Sequence, residues 1–114
     1  MPINVLLKCH DQETTKSFYR DILNFDVCDW EDGTTTAKKG DCTLVFTSED
    51  RWSGHPKMTG EIYLLIDDLD AYYEAILYKD KAIVLWPPQD MPNGLRAFGI
   101  KDYDEYRIAF AQKT

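Results

Sequence analysis

The sequence predicts an α+β fold built from two βαβββ modules, with eight strands curving around a cavity and two helices packed outside them. Three observations predict it. The stretch from Gly60 to Leu77, GEIYLLIDDLDAYYEAIL, repeats the plan of VLLKCHDQETTKSFYRDIL, which stands 57 positions earlier. Both run from a short apolar strand to an aspartate (Asp11, Asp68), then into a helix with an acid two places on (Glu13, Asp70). An aspartate there can accept a hydrogen bond from a free amide of the first turn, and the next acid complements the positive helix end. Each helix also has one apolar face: Leu69, Tyr72, Tyr73, Ile76 and Leu77 in one, Phe18, Tyr19, Ile22 and Leu23 in the other. Finally, each helix is followed by short strand segments parted by turn residues. A displacement of 57 is half of the 114-residue chain, too long for a solenoid repeat, so it reads as a duplication. The modules cover about 1–55 and 59–114 of one domain spanning 1–114.

In order, Ile3 to Cys9 reads as a strand, Gln12 to Leu23 as a helix ended by Asn24, and Phe25 to Trp30 as a second strand. Glu31-Asp32-Gly33 is a hairpin turn. Thr34 to Lys38 is β-branched and extended, Lys39-Gly40-Asp41 turns again, and Cys42 to Thr47 is a fourth strand. Ser48 to Thr59 is polar, carries Gly54 and Pro56, and links the modules. The order then repeats: strand Glu61 to Ile66, helix Leu69 to about Lys79, and a short strand Ala82 to Leu85 ended by Pro87-Pro88. A hairpin of Leu95 to Lys101 and Tyr106 to Gln112 closes the chain, joined at Asp102-Tyr103-Asp104-Glu105.

Composition narrows the function classes. With 44% apolar residues and 13% aromatics the chain can build a core, which excludes disorder. A net charge of -7 and no basic cluster argue against nucleic acid and anionic membrane surfaces, and favour cationic or neutral partners. Cys9, Cys28 and Cys42 form no C-x-x-C pair, so the expectation is reduced thiols buried in strands. The N-terminus lacks a signal-peptide pattern, and the apolar runs Ile62 to Ile66 and Ala82 to Trp86 are far short of the ~20 residues that span a bilayer. A cytoplasmic location is expected. Ser53-Gly54-His55 is no nucleophile elbow, and no phosphate-binding glycine loop occurs, so hydrolase and nucleotide-binding readings are set aside.

The chain resembles the vicinal oxygen chelate superfamily, also called the glyoxalase/bleomycin resistance/dioxygenase superfamily. In the first module the likeness rests on Asp11, Ser17, Phe18-Tyr19 and Ile22-Leu23-Asn24-Phe25. In the second it rests on Ile66-Asp67-Asp68-Leu69-Asp70 and on the run from Pro87 to Phe110, P-P-x-D-M-P-x-G-L-R-x-F-x-I-x-D-x-D-x-Y-x-I-x-F. Tyr103 and Glu105 stand where the family often has Pro and Gly, which alters the turn without changing the hairpin. The resemblance implies a cupped, mixed β-sheet half-barrel with the helices outside, often a homodimer, with a metal or ligand within. It also maps the family's metal-ligand positions onto Asn4, Val45, Glu61 and Ala109. A transition metal needs three or four imidazole, carboxylate or thiolate donors, and of these four only Glu61 is one, with Asn4 a weak carbonyl donor. No metal and no cofactor are therefore expected.

Strand parity supplies the candidate ligand residues. If Asn4 faces the cavity, so do Leu6 and Lys8, while Val5, Leu7 and Cys9 meet the helix. On the repeat strand Glu61, Tyr63 and Leu65 face inward, and Ile62, Leu64 and Ile66 face the helices. Glu61 either holds a ligand's ammonium group, or serves as a base, or sits at the solvent end of its strand. Tyr63 either contacts ligand or fills the barrel. Trp30, Trp52 and Trp86 lie at strand ends or in the linker, where a cavity mouth would be. Arg96 and Phe98 share a strand face; Phe98 is expected across from Ala109 on the cavity side, and Arg96 either joins it or pairs with an acid such as Asp102. His10 precedes the Asp11 cap in an exposed position, and His55 lies in the linker as at most a lid residue.

These residues suggest metal-independent binding of a small, cationic or aromatic molecule, as in the bleomycin resistance proteins the chain resembles, through stacking and cation–π attraction. Two alternatives stand beside it. One is a lyase, isomerase or dioxygenase-type enzyme, metal-dependent or using Glu61 as base. The other is a dimeric interaction module whose cavity is filled by its own side chains.

Overall fold

The structure is a computed structural model that describes residues 5–52 and 54–114. The chain divides into two compact units, Met1–Lys57 and Met58–Thr114. The first contains β1 (Val5–Lys8), α1 (Gln12–Ser17), β2 (Asp26–Asp29), β3 (Thr35–Lys39) and β4 (Cys42–Thr47). The second repeats the order with β5 (Glu61–Leu65), α2 (Leu69–Asp80), β6 (Val84–Asp90), β7 (Leu95–Lys101) and β8 (Arg107–Lys113). Each unit is a βαβββ module with an open, mixed four-stranded sheet, ordered β1-β4-β3-β2 in one and β5-β8-β7-β6 in the other. The first strand pairs parallel to the last, and the remaining pairs are antiparallel. The α+β class and the duplication are as the sequence predicts.

In the first unit Asp11 caps α1, accepting the Thr14 N–H at 3.3 Å. Beyond Ser17 the helix continues as a π-helical turn, Phe18–Ile22, in which the Leu23 N–H reaches back to the Phe18 carbonyl at 3.2 Å. Asn24 then takes a left-handed conformation, φ 60, and ends it. Phe18, Tyr19 and Leu23 are buried, and the Tyr19 ring packs on Phe25 and Phe46. Burying rings of this size contributes about 1.5–3 kcal/mol each. Leu7, Cys9, Ala37 and Leu44 complete the buried apolar set of this unit's described residues. Of the three cysteines only Cys9 is buried; Cys28 is exposed on β2, the edge strand of its sheet, so the expectation of three buried thiols is corrected.

In the second unit Leu69 and Ile76 of α2 are fully buried, and Tyr72 and Tyr73 meet Phe98. The helix start differs from the expected cap. Asp68 sits in the left-handed region, φ 53, and its side chain makes no cap hydrogen bond; the Leu69 N–H donates instead to Gln112 Oε1 of β8 at 2.9 Å. β6 also runs through Pro87 and Pro88 rather than ending at them. It is the edge strand of its sheet, and the prolines fall where its pairing with β7 skips between Trp86 and Gln89, so no ladder bond needs their missing N–H.

Candidate functional site

Burial alternates over residues 6–9 of the first module and along β5, as side chains on opposite faces of a strand require. Leu7 and Cys9 are buried while Leu6 and Lys8 are half-buried, and on β5 Leu64 is buried while Tyr63 and Leu65 are 44% and 53% exposed. Glu61 shares their face, with its carboxylate 4.0 Å from the Arg107 guanidinium. The strand register extends this face across the second sheet as a row, Tyr63–Ala109–Gly99–Trp86. Trp86 closes the row by laying its indole on Gly99, where a Cβ would collide with Nε1 and Cε2. Ala97, Ala109 and Ala111 of this sheet are fully buried, so what β5 offers to solvent on this face is Glu61, Tyr63 and Leu65, with the exposed Arg107 of β8 directly across from Glu61.

The same registers test the family's metal positions. Leu6 stands beside Val45 in the first sheet as Tyr63 stands beside Ala109 in the second, so Val45 and Ala109 are equivalent places in the two modules. Neither side chain has a donor atom. Asn4 lies outside the described residues, and among those described no three His, Cys, Asp or Glu side chains converge. Glu61 alone does not fit a transition metal at these positions.

Two expected ligand residues face the other way. The β7–β8 hairpin pairs Phe98 with Phe110 and Gly99 with Ala109, one residue off the expected register, and a one-residue slip turns a side chain to the opposite face. Phe98 is therefore fully buried on the helix side, packed on Tyr72, Tyr73 and Phe110. Arg96 shares that side, and its guanidinium is held by Asp70 of α2 at 3.0–3.2 Å and by Asp90 at 3.3 Å, not by Asp102. These bonds raise its pKa further. Asp102 instead accepts the Asp104 and Tyr106 N–H groups at 2.9 Å and shapes the hairpin turn.

Lys8 is engaged in structure. Its ammonium bonds Asp50 Oδ1 at 2.7 Å and the carbonyls of Gly54 at 2.6 Å and Trp52 at 3.4 Å, fastening the segment after β4 onto β1. Trp52, in that segment, is exposed.

Trp30 belongs to a site that sequence reasoning saw only in part. A cleft of about 260 Å³ opens in the first unit between the start of α1 and the β2–β3 turn, lined by Gln12, Glu13, Asp29, Trp30, Gly33 and Thr34. Trp30 is 56% exposed, and its indole N–H is donated to Thr36 Oγ1 at 3.0 Å. Asp29 accepts from Lys16 at 2.8 Å and from the Thr35 hydroxyl at 2.7 Å; the ammonium first, then the hydroxyl, hold its carboxyl below the usual aspartate range. Lys16 also meets Glu13 at 2.8 Å. Gln12 braces the wall by donating to the Gly33 carbonyl at 3.0 Å and accepting from Ser48. Two carboxylates thus share one ammonium beside an exposed indole. The adjacent acid and aromatic Asp29-Trp30, just before a turn, were the available signal; Gln12 and Glu13 arrive through the helix and carry none.

The profile of the Glyoxalase/Bleomycin resistance protein/Dioxygenase superfamily matches residues 4–110. No curated protein sequence matches the chain. Among solved structures, a member of that superfamily from Sphaerobacter thermophilus DSM 20745 is 19% identical, covering 99% of this chain and 97% of its own, with a TM-score of 0.82. TioX from Micromonospora sp. ML1 is 15% identical, covering 100% and 99%, with a TM-score of 0.81. A virulence protein from Salmonella typhimurium is 14% identical, covering 97% and 94%, with a TM-score of 0.75. At these identities the likeness is one of fold.

Proposed function

This chain belongs to the glyoxalase/bleomycin resistance protein/dioxygenase superfamily, and from that premise we propose that it is a metal-independent binder of a small aromatic or cationic molecule. The observation that carries the reading is the Trp30 cleft, where an exposed indole stands with Glu13 and Asp29 at the wall. A cation over an indole gains about 0.5–2 kcal/mol, more as water is excluded, and the two carboxylates, less the Lys16 ammonium they share, leave one net negative charge at the same place. The net charge of -7 draws cations toward the protein as a whole. Loss of donors at Val45 and Ala109 supports binding without a metal at the family's positions. Glu61 and Tyr63 form a second exposed acid–aromatic pair on β5. On this reading the protein works as a cytoplasmic homodimer.

The test is a thermal-shift screen of planar aromatic cations in the presence of a chelator. A ligand at a hundred times its dissociation constant adds about 2.7 kcal/mol, a shift of several degrees for a chain of this size. Trp30→Ala should abolish the shift. If Trp30→Ala leaves it intact while Glu61→Gln and Tyr63→Ala remove it, the site lies on β5. A panel without any hit, or hits that appear only when the chelator is left out, overturns the reading.

A further inference from the structure

The only two histidines of the chain stand 45 positions apart in sequence and side by side in the fold. Their rings lie 5.8 Å apart between centroids and are inclined by 18°. Both residues are exposed. Their backbones are held in place independently of the rings. The Cys9 N–H, one residue before His10, donates to the Thr47 carbonyl at 2.9 Å, and Cys9 is buried. On the other side the Gly54 carbonyl, one residue before His55, accepts from Lys8 Nζ at 2.6 Å. The same ammonium therefore anchors the loop that carries His55 to the strand that leads into His10.

We propose that His10 and His55 form a two-histidine site for a borderline divalent cation of the Zn²⁺, Ni²⁺ or Cu²⁺ class. Imidazole nitrogen suits these ions, whereas Mg²⁺ and Ca²⁺ prefer oxygen. Two imidazoles that share one ion at metal–nitrogen distances of about 2.0–2.1 Å have ring centroids about 5.2 Å apart at a tetrahedral angle and about 6.4 Å apart when opposed. The observed 5.8 Å falls inside that span. Binding would turn the two rings out of their present stack until one nitrogen of each meets the shared point, and the remaining positions on the ion would go to water or to a ligand from solvent. The ion would cross-link the end of β1 to the segment between β4 and β5. Glu61, Val45 and Ala109 take no part in it.

The probe is Zn²⁺ titrated into the untagged full-length chain at pH 7.5, followed by calorimetry and by the ring-proton NMR signals of the two histidines. One ion per chain should bind, with both sets of ring signals moving on the same isotherm. His10→Ala and His55→Ala should each weaken binding about 100-fold, because the second imidazole of a preorganised pair acts at high effective concentration. Cys28→Ser and Glu61→Gln should leave it unchanged. The proposal is overturned if only one histidine responds, if either alanine variant keeps wild-type affinity, if binding follows Cys28 or Glu61, or if no ion binds at pH 7.5. The aromatic-cation screen in chelator is blind to this site, so each proposal stands or falls alone.

Discussion

Replacing Gly99 by alanine should destabilise the second unit through one neighbour, Trp86. Gly99 is buried in β7, between Ala109 of β8 and Trp86 of β6, and a Cβ there would overlap the indole at Nε1 and Cε2 and stand 2.9 Å from Cζ2. The ring must leave its place or the strands must part. Overpacking of this kind costs about 1–3 kcal/mol, a fall of roughly 4–12 °C in Tm for a chain of this length. The sign should reverse when the indole is absent. In a Trp86→Ala background the new methyl meets no ring, and alanine in extended backbone stabilises by about 0.5–1 kcal/mol relative to glycine. Urea unfolding of the four proteins, followed by far-UV circular dichroism, gives a double-mutant cycle whose coupling energy should be about 1.5–4 kcal/mol. If Gly99→Ala costs the same in both backgrounds, the indole does not set the cost, and the packing reasoning for this sheet face fails.

Two further outcomes follow from hydrogen bonds at the turns and caps. Asp29, Asp11 and Asp32 are held below the ordinary aspartate value of 3.8, by Lys16 and Thr35, by Thr14, and by Thr34 in turn. A depressed pKa contributes stability that is present above the unfolded value and lost as pH falls through the folded one, so the urea midpoint should drop below about pH 4. Asp29→Asn should make that drop smaller, and equal acid sensitivity in the variant would show that the Lys16 bond does not matter. Glu105 occupies a left-handed conformation, φ 65, in the β7–β8 turn, at a place where glycine carries no Cβ strain. Glu105→Gly should raise stability by about 0.5–1 kcal/mol in the same assay, and a loss would mean that the side chain has a role the turn geometry does not reveal.

The periodic features were legible because they are repeated locally. Leu69 and Ile76 recur on one face of α2, and alternation along β5 separates buried Leu64 from exposed Tyr63 and Leu65, whatever lies across the sheet. Cross-strand register was not legible, because nothing in the composition of the β7–β8 hairpin separates the pairing of Phe98 with Phe110 from its pairing with Ala109. The one-residue difference moved Phe98 and Arg96 from the expected ligand face to the helix face. Pro87 and Pro88 misled for a related reason: a proline ends a central strand, but whether β6 is an edge is decided by topology.

By itself, then, the sequence determined two βαβββ modules, the apolar helix faces, the alternation of buried and exposed side chains along β5, and the want of metal donors at Val45 and Ala109. All of these depend on residue identity at short spacing. Only the tertiary structure decided that Lys8 ties down the segment after β4, that Gln112 rather than Asp68 serves the first amide of α2, that Glu13 and Asp29 meet beside Trp30, and that His10 lies against His55. Each joins residues from elements distant in sequence, and such meetings are set by strand order and loop path, which no local pattern encodes.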